Sequence, residues 1–256
     1  MALTCRNPTV RFLLGLALTA LILGVTPTQA AGGLALSTSM AEPWTNENRT
    51  GFTDLLIPRL FKRLGIEAAL VVNKASARAL SLANDGIDDG IAARIEGLEA
   101  KFPNLVRVPE PIFVSEFVAC GLGPIPVKAN WESLSSYRVS YILGWHVFDN
   151  NVKTTRELLL AKDAEQLFLL LKAGKTDLAL HERMQILWLA KNAGLRIKIA
   201  EPPLARVKMY IYLHRRHAGL IPQLSAELAA MKADGSYQAI VRQAFKGLGS
   251  APGLEP

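Results

Sequence analysis

Two stretches of the chain follow the same plan, and that repetition limits the fold more than any other feature of the sequence. Leu82–Arg94 reads LANDGIDDGIAAR and Leu170–Glu182 reads LLKAGKTDLALHE. In each, an apolar helical pattern stops at a glycine, Gly86 or Gly174, as suits a left-handed cap that closes a helix. An aspartate follows three residues later, Asp89 or Asp177, and then a short apolar run of the kind expected for a buried parallel strand. Five residues beyond each aspartate the copies diverge, with Arg94 in the first and Glu182 in the second. If both runs are strands of open α/β sheets, these side chains emerge at the carboxyl ends, where such sheets bind ligands. The repeat therefore predicts two α/β lobes offering opposite charges to one small molecule. Arg94 has the fork to grip a carboxylate, and Glu182 can accept from an ammonium group.

The chain starts with the basic segment MALTCRNPTVR, continues through the apolar run Phe12–Val25, and reaches TPTQA at Ala30. This is the pattern of a cleaved secretory signal peptide over residues 1–30, and it implies a periplasmic location. The apolar run is short for a membrane span, so the mature chain is expected to be soluble. Removing Arg6 and Arg11 lowers the formal charge from +7 to +5, a modest and scattered excess. The cluster His214-Arg215-Arg216-His217 suits a solvated turn, and no nucleic-acid partner is expected. Cys5 leaves with the signal and Cys120 remains alone, so stability has to come from apolar cores rather than an internal disulfide.

Gly33–Ser39 reads as a first strand running into the loop MAEPWTNENRTG, where Trp44 is a candidate wall for a ligand slot. The spacing predicts a helix over Thr53–Leu64, with Pro58 delaying or bending it. Ala69–Asn73 is a second strand, Ser76–Ala83 a helix, and Glu96–Lys101 a short helix. Leu105–Val108 and Ile112–Cys120 read as strands. GLGPIPVKAN then marks a boundary between lobes. A strand from Tyr137 ends at Gly144, and Trp145 and His146 after it are candidate ligand contacts at a helix start. Thr155–Leu160, Leu195–Ala200 and Met209–Leu213 read as strands. Ala164–Ala173, Arg183–Ala193, Leu220–Lys232 and Tyr237–Phe245 read as helices, with a loose tail at residues 251–256. The resulting organisation is a signal peptide at 1–30, a first lobe of 31–121 plus 214–250, and a second lobe of 122–213.

Signatures of several enzyme classes are missing. The sequence has no paired-histidine zinc helix, no paired-cysteine motif and no G-x-S-x-G elbow, so no metal ligand, cofactor or catalytic residue is assigned. Gly174-Lys175-Thr176 imitates the end of a phosphate loop, but Leu169 stands where the first glycine is required. The residues that remain favour recognition over reaction.

Taken together, the chain resembles the bacterial extracellular solute-binding proteins of family 3, the periplasmic amino-acid receptors of ABC importers. GFTDLLIPRLFKRLG at Gly51–Gly65 is similar to that family's first helix. DGIDDGIAA and AGKTDLALHE look like its two G-x-x-D strands, and PEPIFVSEFVACG like its strand into the first hinge. MYIYLHRRHAGLI is similar to the return strand, and MKADGSYQAIVRQAF to the closing pattern. The resemblance implies a type II periplasmic-binding-protein fold, α/β, with two mostly parallel sheets flanked by helices and joined by two hinge strands. It also implies a monomer that closes on a small polar ligand and serves an ABC permease or a membrane sensor. Glu182 falls where the family commonly holds an α-amino group. The family's carboxylate-binding arginine comes nearer Lys101, whereas this chain has Arg94 at the strand end. Gly144-Trp145-His146 replaces the family's G-T-T anion loop, and Thr53 and Leu55 replace two helix aspartates. The same fold resembles a secreted dehydratase of prephenate-like acids, in which case Glu182 or His146 would act as general acid or base.

Overall fold

The computed structural model describes residues 33–126 and 128–248, together with Met1 and Leu254. The signal peptide expected over 1–30 therefore lies, Met1 aside, outside the described residues. The chain runs β1 (Leu34–Thr38), α1 (Phe52–Lys62), β2 (Ala68–Val72), α2 (Ser76–Asn84), β3 (Gly90–Arg94), β4 (Leu105–Arg107) and β5 (Phe113–Gly121). It continues through β6 (Arg138–Ile142), α3 (His146–Asn151), β7 (Glu157–Ala161), α4 (Ala164–Lys172), β8 (Leu178–Glu182) and α5 (Arg183–Asn192). β9 (Lys198–Ile199), β10 (Ala205–His214), α6 (Ile221–Ala233) and α7 (Ser236–Ala244) complete it. Among the described residues no helix is long and apolar enough to cross a membrane.

The strands form two sheets that share β10. In the first the order is β2-β1-β3-β10, with β4 also on β10; in the second it is β10-β5-β8-β6-β7, with β9 on β5. Residues 205–209 of β10 pair with β5, whereas 210–214 pair with β3 and β4. The chain thus crosses between lobes within β10 and just before β5, where Val108 and Ile112 donate to the Ile211 and Met209 carbonyls. Pairing places all of β5 in the second sheet, so the boundary expected after residue 121 sits at the far end of the strand from the crossover. An unbroken apolar run such as Ile112–Cys120 carries no mark of where its pairing partners change.

Both copies of the repeated plan fold alike, and the aspartates explain why. Gly86 and Gly174 take positive φ, at 73° and 66°, and close α2 and α4. The Asp89 N–H donates to the Ala35 carbonyl at 2.7 Å while its carboxylate accepts from the Ala35 N–H at 2.8 Å. Asp177 does the same to Arg138, its N–H donating at 2.9 Å and its carboxylate accepting at 2.8 Å. Each aspartate is a reciprocal clip that sets one strand against its neighbour at the amino end of a sheet. Side chains complete both clips: Arg216 and His217 for Asp89, Arg138 and Arg156 for Asp177. The Arg138 hydrogen bonds lead in holding the Asp177 carboxyl below its ordinary range. Burial pushes Asp89 up, but the Ala35 N–H, Arg216 and His217 outweigh it and leave that carboxyl lowered. Two members of the 214–217 cluster are therefore engaged in holding a strand rather than merely solvated.

Each lobe carries its own apolar packing. The first gathers α1, α6 and α7 over one sheet face, with Leu36, Phe52, Leu56, Leu60 and Leu228 fully buried. The second packs Val139, Leu178, Leu180 and Phe148 on one face of its sheet and Leu167, Phe168, Leu171 and Ala179 on the other. Met184 of α5 belongs to the first lobe's core, so this second-lobe helix packs across the junction. Helix α1 runs unbroken through Pro58 and starts at Phe52, earlier than the sequence suggests. Four buried residues around the proline, Leu56, Ile57, Leu60 and Phe61, anchor that helix to the core and outweigh one missing backbone bond.

Several edges differ from the sequence reading. Residues 96–101 hold only a turn of 3-10 helix at Leu98–Ala100, and Leu195–Ala200 shrinks to the two-residue β9. β10 is longer than Met209–Leu213, because Arg206 and Lys208 alternate with half-buried neighbours and hide the strand in a polar run. Of the tail from 251, Leu254 is described, and it is buried in the first core rather than loose.

Hydrogen bonds to a charged group contribute on the order of 1.5–3 kcal/mol each. Asp177→Ala, which removes a charge-assisted clip and orphans Arg138, is expected to destabilise the protein by about 2–3 kcal/mol in urea denaturation. A change below about 0.5 kcal/mol would mean that the clip is incidental to the fold.

Candidate functional site

The carboxyl ends of the strands from both lobes meet around a cleft of about 930 Å³. The first lobe supplies the loop after β1, from Ser39 to Arg49, and the end of β2 with Lys74. The second supplies His181 from β8, Gln185, Trp188 and Leu189 from α5, and Ala164 at the start of α4. A cleft of this size and position is where an open α/β sheet takes a small ligand.

None of the five residues singled out from the sequence lines this cleft; each sits behind its wall or away from it. Trp44 is 1% exposed, stacks on Phe113 at 4.0 Å between ring centroids, and meets Phe52 and Phe245 edge-on. It is a core residue rather than a slot wall. Its indole N–H donates to Glu182 Oε2 at 3.0 Å. Glu182 is 3% exposed and caps α5, the same oxygen accepting from the Gln185 N–H at 2.9 Å. The carboxylate expected to face a ligand is thus occupied by the chain itself, in a bond that ties the first lobe to the second. Trp145 stacks on Phe148 and leans on His181 at 4.6 Å, which makes it a support for the wall. His146 is 90% exposed and stands 3.8 Å from Asp149, out in solvent at the start of the six-residue α3.

Arg94 differs from the other four. It ends β3 just after Ala93, whose φ of 58° breaks the strand geometry, and its guanidinium is turned inward. Nη2 donates to Ser39 Oγ at 2.7 Å, and Nε is buried without a hydrogen-bond partner. Among the described residues no carboxylate lies within ion-pairing distance, and burial pulls this guanidinium down to about 10. Ser39 lines the cleft, so Arg94 stands one side chain behind the wall with its charge uncompensated. Because Ser39 Oγ accepts from Arg94, its own proton is left to donate toward the cleft.

His181 is the functional candidate that the sequence reading passed over, since it lies inside an apolar strand beside the more conspicuous Glu182. It is 1% exposed, lines the cleft, and has Nδ1 3.3 Å from the Glu182 carbonyl while Nε2 lacks a partner. A histidine inside an apolar run at a strand's carboxyl end was the available signal. The same junction holds an ion cluster built on a buried pair: Arg183 bridges Glu116 at 2.6 Å and the exposed Glu201 at 2.8 Å, while the exposed Arg206 takes the second Glu116 oxygen at 2.8 Å. Glu116 and Arg206 sit opposite each other on β5 and β10, so the cluster fixes the register of the two connecting strands.

No protein-family model matches the chain. An uncharacterized protein of Shewanella oneidensis is 26% identical over 178 residues, covering 65% of this chain. The match spans 66% of that relative, just under two thirds of its length. Solved structures establish the fold. The GluR0 ligand-binding core of Nostoc punctiforme, in complex with L-glutamate, superposes with a TM-score of 0.67 at 19% identity, over 83% of this chain and 99% of that one. A second GluR0 core with L-glutamate gives 0.71 at 13% identity, over 86% and 100%. The substrate-binding protein of an amino acid ABC transporter gives 0.63 at 15%, over 84% and 100%. The chain therefore has the two-lobed type II periplasmic-binding-protein fold.

The adjacent residues His181 and Glu182 titrate in opposite senses. Burial raises Glu182 to about 7 against the hydrogen bonds from Trp44 and Gln185, so its contribution is fully present below its ordinary 4.5 and is lost as pH rises through 7. Burial lowers His181 to about 4, so its contribution is present above its ordinary 6.5 and is lost as pH falls through 4. Each spans on the order of 3 kcal/mol, and across pH 4–7 they largely offset each other. Urea denaturation of Glu182→Gln across this range is expected to show stability rising with pH relative to wild type, and His181→Phe the reverse. Parallel profiles for all three proteins would show that the pair is not buried in this way.

Proposed function

We propose that this protein is a periplasmic receptor that captures a small carboxylate-bearing solute between its lobes, without turning it over, for a membrane importer or sensor. The observation that carries the reading is the uncompensated guanidinium of Arg94 behind Ser39. A half-buried guanidinium whose Nε is shut off from solvent and unpaired is held at a cost, and an anion arriving in the cleft lowers it. Around it the wall's own charges balance, with Glu42 and Glu47 against Arg49 and Lys74. The net attraction is therefore for an anion.

The two-strand connection suits lobe motion about a pivot at the crossover into β5 and within β10. The structural neighbours are ligand-binding cores and a transporter's substrate-binding protein, which supports capture over catalysis. Delivery to an ABC permease, action as a single chain, and export by the segment at 1–30 follow from the family resemblance. They belong to the same reading.

Thermal-shift titration with small organic acids tests it, since a ligand at a hundred times its Kd adds about 2.7 kcal/mol. Arg94→Met removes the buried charge while keeping an apolar stem. It is expected to hold or raise the unliganded melting temperature and to weaken carboxylate binding at least tenfold. Unchanged affinity would remove Arg94 from anion recognition, and product formation from a bound acid would overturn capture without turnover.

A further inference from the structure

Resting on the capture reading above, the cleft also constrains the rest of the ligand. We infer that the solute presents a neutral hydroxyl to His181 and carries no ammonium group for the second lobe to hold, so that hydroxy acids rather than amino acids are its ligand class.

The carboxylate at the end of β8 is buried, lies outside the cleft wall, and already accepts from the Trp44 indole and the Gln185 N–H. Both bonds fall on Oε2, and the whole side chain sits behind the wall, where a ligand ammonium in the cleft does not meet it.

A carbonyl oxygen only accepts, so the contact between His181 Nδ1 and the Glu182 carbonyl places the proton on Nδ1 and leaves Nε2 with a lone pair. That nitrogen is buried and without a partner, in a side chain that forms part of the cleft wall. It requires a donor. An ammonium would bring a second buried cation beside a neutral ring, with the neighbouring carboxylate already engaged. A hydroxyl brings the proton without the charge, and its desolvation is offset by a single hydrogen bond.

Pairing the two walls gives a ligand with an anionic end toward Ser39 and Arg94 and an O–H toward His181. The test is isothermal titration of the full mature protein with matched probes: malate against aspartate, 2-hydroxyglutarate against glutamate, and 3-hydroxybutyrate against 3-aminobutyrate. Succinate, glutarate and butyrate serve as the unsubstituted controls. At least one hydroxy acid is expected to bind ten times more tightly than both its amino and its unsubstituted counterpart. His181→Phe should erase the hydroxyl preference while retaining binding of the unsubstituted acid. His181→Gln, which keeps an acceptor, should restore part of that preference.

An amino acid that binds as tightly as its hydroxy partner would overturn the inference and leave anion capture standing. So would a hydroxyl preference untouched by His181→Phe. Failure of every probe to bind at millimolar concentration would overturn both.

Discussion

Charge taken out of water has to be answered by something, and that constraint organises this molecule. The acids that hold the strands and the junction have partners from within the chain. Glu116 has two arginines, Asp89 and Asp177 have strand N–H groups and cations, and Glu182 has an indole and a helix N-terminus. Arg94 has a serine hydroxyl and an orphaned Nε. That cation, half-buried at the edge of a cleft with an unpaired Nε, stands where an anionic ligand can supply the missing partner.

The same bookkeeping explains how the lobes are set. Two reciprocal aspartate clips fix the parallel strands of each sheet against one another at their amino ends, and the opposite ends line the cleft. The Glu116 cluster fixes the connecting strands in register, and the Trp44 to Glu182 bond spans the junction beside Met184. Each of these contacts is local. Together they bring Ser39 and His181, far apart in sequence, onto one surface.

Much of the architecture was legible because it rests on short-range chemistry. Gly86 and Gly174 close helices through left-handed φ, and the apolar runs after Asp89 and Asp177 become the strands the repeat implies. The site was less legible, because a charge pattern does not show which charges are already spent. Glu182 matches a ligand-holding position, but only the fold reveals that the loop after β1 swings an indole onto it. Trp44 and Trp145 read as possible slot walls, and packing makes one a core residue and the other a support for His181. His181 was hidden by its apolar neighbours, and the extent of β10 by its alternating lysine and arginine.

The most direct measurement concerns the Arg94 side chain itself. In a nitrogen-15 correlated NMR spectrum, its Nε–H, assigned by its absence in Arg94→Met, reports whether that donor gains a partner. The account expects a distinct resonance that moves downfield and resists solvent exchange when a stabilising carboxylate is added. A carboxylate that raises the melting temperature while leaving this resonance unmoved would show that the anion is held elsewhere, and would contradict the account at its centre.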